Sequence, residues 1–110
     1  MGLFSLFRKK YQTISPAAAK DALDQGSMLI DVRESSEYRA GHAPGAKHIS
    51  VQVIERRLSE IPKERQIVVI CQSGMRSQRA AEILSQNGYQ VMNVAGGMLG
   101  WQRAGLKVVN

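Results

Sequence analysis

The stretch Ile67-Val-Val-Ile-Cys71-Gln-Ser-Gly-Met-Arg76-Ser-Gln-Arg-Ala-Ala81 decides the fold. Its first four residues are apolar, contiguous and mostly β-branched. An unbroken run of this kind suits a central strand covered on both faces. Gly74 then lets the chain bend tightly, and Arg76 to Gln86 reads as a helix stopped by Asn87-Gly88. A cysteine therefore stands directly after a buried strand and just before a helix. In an open parallel sheet that is the end where ligands bind.

The same alternation runs outward in both directions. Tyr11 to Ile14 reads as a short strand, Ser15 as an N-cap, Pro16 as the first helical residue, and Ala17 to Gln25 as a helix stopped by Gly26. Met28 to Val32 is a buried strand. Glu34 to Arg39 makes a turn of helix ended by Gly41, and Pro44-Gly45 marks a loop before a short strand at Lys47 to Ile49. Ser50 can cap a helix in which Val51, Ile54, Leu58 and Ile61 recur at helical spacing. Gln66 to Ile70 is the central strand, and Gln90 to Val94 is another. Gly96-Gly97 turns the chain into a last helix around Trp101, stopped by Gly105. Strands separated by helices imply crossover connections, hence an α/β fold on an open parallel sheet.

At 110 residues the chain fits one compact domain. Hydrophobic residues make up 44% and charged residues 22%, which reads as globular rather than disordered. With one cysteine no internal disulfide is possible, and a free thiol belongs in a reducing compartment, the cytoplasm. His42, His48 and Cys71 have no usual zinc-site spacing, so neither a metal nor another cofactor is expected. The net charge is +6, but the basic residues are spread along the chain without a base-reading motif. This argues against nucleic acid and favours small anionic substrates.

Residues 1–10, MGLFSLFRKK, stand apart as an N-terminal apolar and basic extension, with the domain expected over 11–110. The segment lacks the layout of a secretory signal and is too short to span a bilayer. Two readings are open: an apolar flap or disordered lead-in, or a weak, salt-sensitive membrane contact with the basic residues facing anionic lipid.

The cysteine loop has its own chemistry. Successive backbone N–H groups in a short loop can form an anion-binding nest, and the helix that follows adds the positive end of its dipole. Arg76 supplies a full charge to the site or braces the loop. These features favour the thiolate, so the Cys71 pKa is expected below that of a free cysteine. The same cradle suits a cysteine persulfide.

The loop CQSGMR resembles the active-site loop of the rhodanese family, with Cys71, Gly74 and Arg76 in place. Asp31-Val-Arg33 with Glu37-Tyr38, Gly41-His-Ala-Pro-Gly-Ala46, and Gly96-Gly97 with Trp101 resemble three further family patterns, in the right order. Ala43 stands where the family more often has a larger aliphatic residue, and His48 where it often has asparagine. The resemblance covers roughly Tyr11 to Gly105. It implies a rhodanese-like parallel sheet with helices on both faces. It also implies transfer of sulfane sulfur from thiosulfate or a persulfide donor to a thiol, cyanide or protein-cysteine acceptor.

On this reading Cys71 is the nucleophile and sulfur carrier. Gln72, Ser73, Gly74, Met75 and Arg76 bind substrate, mainly through backbone. Asp31, Arg33 and Glu37 form a hydrogen-bonded structural set, with Arg33 and Glu37 within reach of each other and Arg33 the best placed for substrate contact. His42 fixes its loop and Trp101 packs the core. Two rivals are weighed. A phosphatase or arsenate reductase on the same fold commonly has five residues between cysteine and arginine, and here there are four. Non-enzymatic interaction modules of this kind usually lack the cysteine.

Overall fold

Local chemistry starts each element. Ser15 is extended (φ −66°, ψ 156°), and its hydroxyl accepts the Ala18 N–H, which caps α1 (Pro16–Asp24). The short α2 (Ser35–Ala40) begins with a capping box, in which Glu34 and Glu37 each accept the other's backbone N–H. In this computed structural model, which describes residues 10–110, five strands form one sheet. They are β1 (Gln12–Ile14), β2 (Met28–Asp31), β3 (Lys47–His48), β4 (Ile67–Ile70) and β5 (Val91–Val94). The readings of the N-terminal extension as flap or membrane contact fall on residues 1–9 and lie outside the described residues.

The sheet order is β1-β5-β4-β2-β3 and every pairing is parallel. The four residues of β4 are fully buried at the centre, as their composition demands. One face of the sheet packs Ile67, Val69 and Val91 against Ala80, Ala81 and Leu84 of α3 (Met75–Gln86). The other packs Val68, Ile70 and Val94 against Ala19 of α1 and against Met98 and Trp101 of α4 (Gly97–Arg103). Trp101 belongs to this second core and donates its indole N–H to the Lys107 carbonyl. No helix among the described residues is long and apolar enough to cross a membrane.

One element departs from expectation. Residues 50–61 do not form an α-helix capped by Ser50. Residues 51–53 are a turn and Ile54–Glu60 is a 3₁₀ helix kinked at Arg57. Ser50 accepts the Gln52 N–H and donates to Glu34, so its hydroxyl closes a turn instead of a cap. Pro62 holds Ile61 extended (φ −114°, ψ 116°) and leaves too few residues for a stable α-helix. Ile54 and Ile61 still reach the core, so the apolar spacing reported burial correctly and helix type incorrectly.

The register brings Asp31 beside Ile70 and Val69 beside Asn93. The carboxyl ends of β2, β4 and β5 therefore lie together, and Cys71 leaves the sheet at its middle strand.

Candidate active site

Cys71 is the first residue beyond β4, and no part of it is exposed to solvent. Its sulfur accepts two hydrogen bonds, from the Gly74 N–H at 3.0 Å and the Ser77 hydroxyl at 3.3 Å. The first requires the chain to curl back within three residues. Gly74 achieves this at φ +101°, a backbone conformation that other residues rarely adopt, and serves as the N-cap of α3.

Helix α4 holds the loop from outside. The Cys71 carbonyl accepts the Met98 N–H at 2.7 Å and the Gln72 carbonyl accepts the Leu99 N–H at 3.1 Å. With these carbonyls turned onto a helix N-terminus, the loop's N–H groups are left to face the sulfur. Burial opposes the thiolate most strongly of the separate influences. Hydrogen bonds from the Ser77 hydroxyl and from the backbone of Ser77, Gly74 and Ser73 together outweigh it, and the Cys71 pKa is lowered. The sequence-based expectation of a favoured thiolate holds. The backbone cradle does part of the work, and a side chain that the sequence did not point to does another part.

That side chain is Ser77, which is fully buried. Replacing it with alanine removes the one side-chain donor to Sγ among the described residues, so the Ser77→Ala thiol is expected to titrate above the wild-type thiol. Iodoacetamide alkylation followed against pH measures this directly. The wild-type midpoint is expected below the free-cysteine value of about 8.5, and the variant's midpoint higher than the wild type's. Superimposable profiles would remove Ser77 from the site.

Two buried or half-buried ion pairs brace the loop. Arg33 is 4% exposed and grips Asp31 with two nitrogens, Nε at 3.0 Å and Nη2 at 2.8 Å. Nη2 also donates to the Gly41 carbonyl at 2.7 Å, and Nη1 reaches the Gln72 side-chain oxygen at 3.2 Å. Arg33 thus touches the cysteine loop through Gln72. At the other end of the loop, Arg76 forms a two-pronged pair with Glu37 at 2.7 and 2.9 Å. Arg33 and Glu37 were expected to meet each other. Instead Arg33 pairs with Asp31, two residues away on the β2 end, and Glu37 looks across to α3. The fork of Arg33 is filled locally before α2 begins, which leaves Glu37 for the nearest open guanidinium.

The Arg76 hydrogen bond, opposed by partial burial, holds the Glu37 carboxyl down at about 2 against an ordinary 4.5. A carboxylate with a depressed native pKa stabilises the fold above its unfolded value, and this contribution disappears as pH falls through the folded value. Between pH 4.5 and 2 the urea midpoint of the wild type is expected to fall more steeply than that of Glu37→Gln. Glu60, also held down at about 2 by Arg57, is present in both proteins and cancels in the comparison.

His42 fixes its loop as expected. Its Nδ1 lies 2.9 Å from the Tyr38 carbonyl, its ring stacks on Tyr38 at 3.8 Å, and its backbone exchanges two hydrogen bonds with Val109. His48 places Nε2 2.7 Å from the Arg33 carbonyl, so it supports the same brace from below. Among the described residues no group of three His, Cys, Asp or Glu side chains converges as a metal site.

Residues 15–104 match the rhodanese-like domain family. The chain belongs to that family. A relative of this rhodanese-like chain, named sulfurtransferase, from Allochromatium vinosum, is 42% identical over 83 residues, which cover 74% of this chain and 78% of the relative. The thiosulfate sulfurtransferase GlpE of Actinobacillus pleuropneumoniae serotype 3 is 33% identical and aligns over 89% of this chain and 93% of its own length. The crystal structure of a rhodanese-related protein from Thermoplasma volcanium superposes with a TM-score of 0.84 at 29% identity, over 90% of this chain and 98% of that one. The parallel sheet with helices on both faces, read from the sequence, is the rhodanese-like architecture.

Proposed function

We propose that this chain is a sulfurtransferase that carries sulfane sulfur as a persulfide on Cys71. The observation that carries this reading is the hydrogen-bonded thiol at the end of β4, held by the Gly74 N–H and the Ser77 hydroxyl. The names of the relatives, sulfurtransferase and thiosulfate sulfurtransferase, support the same class of reaction.

In the first half-reaction the Cys71 thiolate attacks the outer sulfur of thiosulfate or of a persulfide. The donor's S–S bond breaks, sulfite or a thiolate leaves with the electron pair, and Cys71 becomes a persulfide. In the second, an acceptor such as cyanide, a thiol or a protein cysteine removes the outer sulfur and restores the thiolate. This is covalent, two-step chemistry. The N–H groups of Ser73, Gly74 and Ser77 that lower the thiol pKa also suit the negative charge of the persulfide. Arg76, paired with Glu37, lends charge and rigidity to the mouth of the site. Arg33 acts as a positioning group through Gln72. With one cysteine in the chain, the acceptor comes from outside.

Incubation with thiosulfate and cyanide tests the reading, with thiocyanate formation as the readout and hydrolysis of an aryl phosphate as the rival's signal. Thiocyanate is expected and phosphate release is not. Phosphate release without thiocyanate would transfer the site to the phosphatase class.

A further inference from the structure

Among the described residues two large apolar side chains are exposed, Met75 at 75% and Leu99 at 40%. Both flank the cysteine loop. Met75 opens α3 directly after Gly74, and Leu99 stands in the first turn of α4 with its N–H on the Gln72 carbonyl. Exposed apolar residues scattered singly mean little, whereas apolar groups gathered at one place mark a contact surface. On a helix the residue four positions on shares the same face. For Met75 that residue is Arg79, and for Leu99 it is Arg103. Both arginines are exposed, and neither takes part in an ion pair among the described residues. The other two arginines at the loop are already engaged, Arg33 by Asp31 and Arg76 by Glu37. No acidic residue stands in the first turn of α3 or α4.

We propose that this rim docks an acidic protein whose reactive cysteine is flanked by apolar side chains, and that this cysteine exchanges sulfur with Cys71. The proposal rests on reading Cys71 as a sulfur carrier. Thiosulfate, a small hydrated dianion, has no use for an apolar rim. A lipid or nucleic-acid surface could face the arginines but offers no thiol. Methionine is unbranched and adaptable, which suits a surface that packs against a protein partner.

The chemistry closes without further reagents. The persulfide extends the Cys71 side chain by one S–S bond, about 2 Å, toward the mouth. The partner's thiolate attacks that outer sulfur and forms a new S–S bond. The bond between Sγ and the outer sulfur breaks, and its electron pair remains on Sγ as the thiolate that Gly74 and Ser77 hold. The outer sulfur carries its negative charge with it, and the partner leaves as the persulfide anion.

Two synthetic peptides serve as probes, one with Leu-Cys-Leu flanked by glutamates and its twin flanked by lysines. The full chain is charged with thiosulfate, and discharge to each peptide and to cyanide is followed by mass. At low salt, transfer to the acidic peptide is expected to be at least about tenfold faster than to the basic one. Combined Arg79→Glu and Arg103→Glu should abolish or reverse this preference. Leu99→Ser should slow both peptides, and discharge to cyanide should stay unchanged in all variants. Equal peptide rates in the wild type, or a preference that survives the charge reversal, overturn the docking proposal while leaving the carrier role intact. Absence of any charging by thiosulfate overturns both. If vesicles of phosphatidylglycerol slow discharge to cyanide through the two arginines while the peptides are treated alike, the rim faces lipid and the protein-docking proposal fails.

Discussion

Cys71→Ser is expected to fold, to gain no sulfur mass from thiosulfate, and to form thiocyanate at least about 10⁴-fold more slowly than the wild type. The reasoning is chemical before it is structural. The serine hydroxyl stays protonated at neutral pH, and no hydrogen bond from Gly74 or Ser77 lowers its pKa far enough to make it a comparable nucleophile. The fold should tolerate the exchange. Serine is slightly smaller, it occupies the same fully buried position, and its oxygen can accept the Gly74 N–H that Sγ accepts now. The substitution therefore separates chemistry from stability. Intact-mass measurement after thiosulfate treatment reads the carrier role, turnover reads the reaction, and a thermal melt verifies the fold. A folded serine variant that still gained one sulfur atom would move the carrier elsewhere. With no second cysteine in the chain, it would also end the persulfide mechanism.

The sequence was most legible where a local rule decides the structure. The Ile67–Ile70 run could only be a covered strand, Ser15-Pro16 could only begin a helix, and Gly74 announced the bend that aims its own N–H at the sulfur. The strand-to-helix junction located the cysteine loop, and family resemblance then supplied its chemistry. What stayed hidden depends on contacts distant in sequence. Ser77 sits in the second half of an ordinary helical turn, and nothing in its neighbours marks it as a donor to Cys71. Only the left-handed Gly74, which doubles the chain back, places it there. Glu37 and Arg76 are 39 positions apart, and their pairing follows from the β2–β4 register that brings α2 beside the cysteine loop. The failed helix over residues 50–61 has a different cause. A spacing of three or four apolar residues fits both a 3₁₀ helix and an α-helix, so periodicity alone could not distinguish them. Pro62 and the hydrogen bonds of Ser50 made the choice.

The dependence of the site on α4 leads to the strongest stability prediction. Gly97 is the first residue of α4, at φ +55°. A Cβ built on it would collide with the Cys71 carbonyl oxygen and lie 2.7 Å from the Gln72 carbonyl carbon and 2.8 Å from the Gln72 oxygen. All three neighbours are backbone, so no side chain can swing aside. The same two carbonyls accept the Met98 and Leu99 N–H groups. Relieving the clash therefore means lifting α4 off the cysteine loop and stretching both bonds. Forcing an L-residue into the left-handed region adds about 1–2 kcal/mol, and overpacking against a rigid neighbour adds about 1–3 kcal/mol. Gly97→Ala should lose roughly 3 kcal/mol or more and melt more than about 10 °C below the wild type. Gly105→Ala provides the control, because Gly105 is also left-handed (φ +76°) but nothing lies within 4 Å of its Cβ position. It should show the backbone penalty alone, about 1–2 kcal/mol. The surviving folded Gly97→Ala protein should also alkylate with a higher pH midpoint, since a displaced loop no longer aims its N–H groups at Sγ. If the two alanine variants melt together, the contact between α4 and the loop is looser than the geometry requires, and Gly97 is not what holds the cradle closed.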